Sequence, residues 1–152
     1  MAEIKIIVTR WYPEKQLLVT QISGDMEEND IERWENSLLN TLGLIENNSV
    51  FKAFVNTNGF TAINLDVQKK YRSVIPRTLA AYDWRVGYID LLEDEAEKMT
   101  YKNTRGIKCV GAAHCHHDET KMTIFDDHFG TERERFFADP DLASQWIENL
   151  AV

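Results

Sequence analysis

A chain of 152 residues, 43% hydrophobic and 28% charged, suits one globular domain over 1–152 built on one core. Its formal net charge of −8 repels phosphate backbones and sets nucleic acid aside as a partner. No apolar run approaches the roughly 20 residues that span a bilayer. Glu3 and Lys5 interrupt the opening "MAEIKIIVTR", so neither a transmembrane segment nor a signal peptide is expected.

"IKIIVTRWY" (4–12) and "QLLVTQISG" (16–24) are rich in β-branched and apolar residues, and Pro13 in "PEK" breaks them. They read as a β-hairpin with Trp11 and Tyr12 exposed near its tip. In "ENDIERWENSLLNTLGLIENN", Ile31, Trp34, Leu38, Leu42 and Ile45 recur at three- and four-residue steps, which predicts a helix with one apolar stripe, capped by Asn29 or Asp30. "VFKAFVNTNGF" (50–60) starts as a buried strand and ends in a loop marked by Asn56, Asn58 and Gly59. A second helix follows, with Val67, Tyr71, Val74 and Ile75 inward and a kink or restart at Pro76. "WRVGYIDLL" (84–92) fits a strand or a helix, the strand being favoured because Val86, Tyr88 and Ile89 precede a polar run, and "EDEAEKMTYKN" reads as a helix with a solvated face.

"GIKCVGAAHCHH" (106–117) is the strongest strand of the second half, small or apolar up to Ala113 and so covered on both faces. Asp118 caps the helix "ETKMTIFDDHFG", which Gly130 ends. "RERFFAD" (133–139) is a short strand. Pro140 opens a terminal helix with Leu142, Trp146 and Leu150 on its inner face. Strand and helix alternate after the hairpin, which implies an α/β fold: a mixed, mostly parallel β-sheet with an N-terminal hairpin and flanking helices. Cys109 and Cys115, six residues apart on an extended strand, are separated by about 20 Å and cannot bridge. Free thiols fit a reducing cytoplasm.

The chain resembles the STAS-like domains, the group related to sporulation anti-anti-sigma factors and to the lipid-binding CRAL-TRIO fold. The resemblance is carried by the hairpin ending "ISGDM", the acidic entry to the first helix, the strand-loop "FVNTNGF" and the ending "ERERFFADPDLASQWIENL". It covers most of the chain, although 84–105 is longer than the family's core requires. It implies a non-enzymatic regulatory or binding domain. In anti-anti-sigma factors the loop after the third strand carries a phosphoacceptor serine in a D-S-S-G pattern. Here "NTNGFTAINLD" holds no serine; Asn64 lies near the acceptor position, and Thr57 and Thr61 are the hydroxyls available.

Three of the chain's four histidines fall in "GAAHCHHDE". On a strand, His114 and His116 point one way and Cys115 and His117 the other. Two imidazoles at this spacing suit a divalent metal, with Asp118, Asp126, Asp127 or His128 as further ligands. The competing reading is a strand end whose histidines bond a neighbouring loop. No zinc-protease or paired-cysteine motif is present. Cys115 reads as a small buried side chain, since its flanking histidines face away from it. "QKKYRSVIPR" gathers Lys69, Lys70, Arg72 and Arg77, either as a solvated face or as a surface for an anion.

The expected function is a binding module that takes a protein partner, a second copy of the chain among them, or a small ligand. Its expected ligand contacts are Asn56, Asn58, Thr61, Asn64, His114, His116 and His117. No cofactor is expected. The alternatives are a divalent metal on His114, His116 and Asp118, with or without enzymatic activity, and carriage of an apolar ligand.

Overall fold

The computed structural model describes residues 4–152. Five strands run in the order β1 (Ile6–Tyr12), β2 (Leu17–Met26), β3 (Val50–Asn56), β5 (Lys108–Cys115) and β6 (Glu134–Phe137). Only the β1–β2 pair is antiparallel. A sixth strand, β4 (Phe60–Ala62), pairs parallel with the far end of β2. The helices are α1 (Glu28–Leu42), α2 (Leu65–Ala80), α3 (Asp94–Lys98), α4 (Glu119–Phe129) and α5 (Pro140–Asn149). The chain steps across the sheet in one direction from β1 to β6. Right-handed crossovers then stack α1, α2 and α4 on one face, leaving α5 to return over the other.

Alternation along the strands feeds two cores. Leu18, Ile22, Phe51, Ala53 and Val55 face α1 and α2, where Ile31, Trp34, Leu38 and Leu42 are all buried, with Ile45 joining them from the turn that follows α1. Leu17, Phe54, Ala113 and Cys115 face α5 and meet Ala143 and Ile147. A fully buried leucine or isoleucine contributes about 1.5–3 kcal/mol, so the α1 stripe alone commits this face. Trp34 also spends its indole N–H on Thr20 Oγ1 at 2.7 Å, satisfying the one polar atom it buries.

The phase of β5 changes partway along. Phe51 pairs with Cys109, but the next residue, Lys52, pairs with Gly111, so Val110 is an extra residue, a β-bulge. Cys109 therefore lies in the first core, while Ala113 and Cys115 lie in the second, although all three have odd numbers. Strict alternation from Cys109 would send His114 toward α5. The bulge turns it to the α2 side.

Several elements depart from the sequence reading. Residues 84–92 form no strand: Ile89–Leu92 is a short 3-10 turn, and Val86, Ile89 and Leu92 plug the first core from a connecting segment. The sheet has no place for them, because β5 fills the position beside β3. The helix expected over 93–103 contracts to α3, with no buried residue to anchor more turns. α2 runs unbroken through the buried Pro76, at the cost of one N–H bond. Glu27, not Asn29 or Asp30, is the N-cap of α1, with Asp30 closing a reciprocal capping box. On α5 the inward residues are Ala143, Trp146, Ile147 and Leu150, and Leu142 is 54% exposed. Trp11 and Tyr12 are not an exposed pair. Adjacent residues on a strand face opposite ways, and each is half-buried against a different core.

Candidate functional site

At the carboxyl ends of β3, β5 and β6 the sheet opens into a cleft of about 250 Å³, the place where open α/β sheets take ligands. His114 forms part of its floor. Its Nε2 lies 2.8 Å from Glu134 Oε2 on the neighbouring strand, and both residues are buried. The other carboxylate oxygen accepts the Gly87 N–H at 2.9 Å. A backbone donor thus orients the carboxylate, and the carboxylate orients the ring. Gly87 has to lack a side chain here: a Cβ would sit 2.9 Å from Phe129 Cβ and 3.1 Å from Glu134 Oε1.

Aromatic rings build two walls. Phe136 stacks on His114 at 4.7 Å, and Tyr88 and Phe125 close around them at 5.7–5.9 Å. Across the cleft, Tyr71 stacks on Trp34 at 5.6 Å and is backed by Phe60. Burial pushes the Tyr71 hydroxyl up to about 12, against the opposing effect of its hydrogen bond with Thr57. Burial raises Tyr88 well above the ordinary phenol, helped by Tyr71 and the Glu134 charge. Both phenols stay protonated. Arg72 and Lys121 stand at the mouth, exposed, with the Lys121 ammonium 5.4 Å over the Phe125 ring.

β5 ends at Cys115, so the alternation expected through His117 stops there. His116 still lines the cleft. Its ring stacks on His117 at 4.1 Å, and its Nδ1 accepts the Asp118 N–H at 3.0 Å. Burial, with the charges of His117 and Lys121, pulls His116 down to about 4 against the opposing pull of Asp118, so its ring is neutral near pH 7. His117 turns outward and accepts the Gly59 N–H at 3.0 Å, fastening the loop between β3 and β4.

Two of the seven residues expected to contact a ligand, His114 and His116, line the cleft. Asn56 Oδ1 accepts the Asn58 N–H at 3.1 Å in a local turn, and Asn64 caps α2 through the Val67 N–H at 2.9 Å. Thr61 is exposed and bonds Asp25. These residues shape backbone; their neighbour Thr57 reaches the cleft and bonds the Cys115 carbonyl at 2.8 Å.

The expected metal set does not assemble. Glu134 holds His114 Nε2, His116 Nδ1 takes the Asp118 N–H, and Asp118 Oδ1 caps α4 at the Lys121 N–H, 3.0 Å. Among the described residues no three His, Cys, Asp or Glu side chains converge to hold a metal ion. Asp126 grips Arg135 through both oxygens at 2.8 Å. The thiols are free and buried: burial pushes Cys109 up to about 12 and Cys115 up to about 11, so neither is a ready nucleophile. The basic cluster divides, Lys70 pairing with Glu28 and Glu32 and Arg77 with Glu35, while Arg72 keeps to the cleft.

Sequence reasoning missed Glu134, Tyr71, Tyr88, Phe125 and Phe136 as site residues. Glu134 had a signal: it shares a face of a short strand with Phe136, so an inward Phe136 brings an acid inward beside the histidine strand. No family model matches the chain, and no curated protein and no solved structure matches it. No helix among the described residues is long and apolar enough to cross a membrane.

Proposed function

We propose that this chain is a non-enzymatic binding module of the STAS-like type, and that it holds a small, largely apolar ligand in the cleft at the carboxyl ends of β3, β5 and β6. The observation that carries the reading is a preformed concavity of about 250 Å³ with aromatic walls and a few fixed polar groups, the usual make-up of a small-molecule site. Drug-sized ligands occupy about 300–1,000 Å³, so the occupant is smaller, a single ring or a short branched chain. The His114–Glu134 pair supports binding over catalysis, since His114 Nε2 and both Glu134 oxygens are spent on contacts within the fold. The buried free cysteines favour a reducing compartment such as the cytoplasm.

The test is a titration of the protein with indole and benzyl alcohol, followed by backbone amide resonances. Saturable shifts confined to Tyr88, His114, Phe125 and their neighbours support the cleft. Shifts scattered over the surface, or none, overturn it.

A further inference from the structure

We propose that the ligand of this cleft is a small aromatic carboxylic acid, its ring lodged between the two aromatic walls and its carboxylate held at the mouth by Arg72 and Lys121. The inference rests on the cleft being a small-molecule site and adds the chemistry of what enters.

Charge distribution argues for an anion. The chain carries 25 acidic side chains among 152 residues, yet none of the seventeen residues that line the cleft is Asp or Glu. Two lining residues are cations, in a protein whose net charge is −8. Nearby cations are matched: on α2 Lys70 reaches Glu28 and Glu32, and Arg77 reaches Glu35. Beside the cleft Asp126 holds Arg135. Arg72 and Lys121 form no ion pair with any described residue. Uncompensated positive charge at the rim of a low-dielectric hollow attracts an anion more strongly than the same charge on open surface.

Geometry narrows the anion. The Lys121 ammonium already sits 5.4 Å over the Phe125 ring, so a carboxylate bonded to it lies at the edge of the aromatic wall and its attached ring reaches inward. Arg72, one turn from Pro76 on α2 and next to Tyr71, presents a planar fork that suits the two oxygens of a carboxylate. The neutral Tyr71 and Tyr88 hydroxyls add no opposing charge, and that of Tyr88 offers a donor. A phosphate would call for a cradle of backbone N–H groups, and the nearest candidate, the start of α4, is occupied by the Asp118 carboxylate. The depressed His116 records the same field, since the Lys121 charge helps drive its proton away.

Binding of phenylacetate, its neutral isostere phenylacetamide, 2-phenylethylammonium and phenyl phosphate is measured by amide-resonance titration on the full chain. Phenylacetate should bind about tenfold tighter than phenylacetamide, equivalent to about 1.4 kcal/mol, and added salt should erode this advantage. Arg72→Ala and Lys121→Ala, both at exposed positions, should each weaken phenylacetate several-fold and phenylacetamide by much less. If the amide binds as tightly as the acid, or the ammonium binds tighter, the carboxylate inference falls while the cleft remains a ligand site. Tighter binding of phenyl phosphate overturns the choice of head group. Binding of none of the four overturns the carboxylate inference, and the indole and benzyl alcohol titration then decides whether the cleft takes a ligand at all.

Discussion

His114 Nε2 and Glu134 Oε2 meet at 2.8 Å between adjacent parallel strands, and the second Glu134 oxygen reaches across to the Gly87 N–H. One buried carboxylate therefore ties β5, β6 and the 84–92 segment together behind the cleft. Glu134→Ala strands a buried imidazole and a buried amide, and should cost about 2–4 kcal/mol. The double variant His114→Phe/Glu134→Leu removes both polar partners and should cost less than the two single changes added together. Urea unfolding measures both. A Glu134→Ala midpoint equal to that of the parent would show that the pair contributes nothing.

His116 offers a pH readout. Burial and the neighbouring charges hold its folded pKa near 4, below the ordinary 6.5. Between these values the unfolded chain binds more protons than the native one, so stability rises with pH across that window and levels off above it. On acidification from 6.5 toward 4 the loss should be on the order of 1–2 kcal/mol, allowing for partial exposure of the ring. His116→Gln should flatten the curve over this interval. An unchanged slope in the variant would assign the effect to another group.

The α1 stripe was readable because four apolar residues at helical spacing, Ile31, Trp34, Leu38 and Leu42, admit one phase and nothing competes for that face. The C-terminal helix was harder. Leu142, Trp146 and Leu150 fit one face and Ala143, Trp146, Ile147 and Leu150 another, and only packing on β5 selects the second. Residues 84–92 carry as much apolar content as a strand, but strand formation depends on a free sheet edge, which is decided by distant pairing. The bulge at Val110 was invisible for the same reason, and it decides which core His114 faces. The asparagines of 56–64 drew attention as ligand contacts, whereas their short amides serve turns and a helix cap, the commoner use of that side chain.

Asp126 joins α4 to β6 through a two-oxygen fork on Arg135 at 2.8 Å and a third bond from the Phe136 N–H at 3.1 Å. This contact fixes the strand that presents Phe136 to the cleft. The Arg135 guanidinium beside it, helped by the Phe136 amide and opposed by burial, holds the Asp126 carboxyl below its ordinary 3.8. The stability it supplies is present above 3.8 and is lost as the pH falls through the lower folded value. Asp126→Asn should cost about 1–2 kcal/mol near neutrality and should broaden or shift the Phe136 resonances. Thermal unfolding near neutrality and near pH 3 separates the cases, because the gap between parent and variant should narrow in acid.

Arg133 supports the bulge from the other side. Its Nε donates to the Val110 carbonyl at 2.7 Å, the acceptor belonging to the extra residue, and its guanidinium also reaches the Ala151 carbonyl. Lys52, buried beneath α5, donates to the carbonyls of Leu150 at 2.8 Å and Glu148 at 3.2 Å, so two cations hold the C-terminal segment over β3 and β5. Arg133→Met leaves the bulge carbonyl without this donor and should cost about 1–3 kcal/mol. The effect should be felt at a distance from the substitution. A bulge that relaxes toward regular pairing rotates the residues after it, so the His114 ring resonances should shift and the contact with Phe136 should weaken in nuclear Overhauser spectra. Lys52→Met, which lowers stability through the same terminus but leaves Val110 alone, is the control. It should lower the unfolding midpoint and leave the His114 resonances in place. If both variants disturb His114 equally, the bulge does not set its direction.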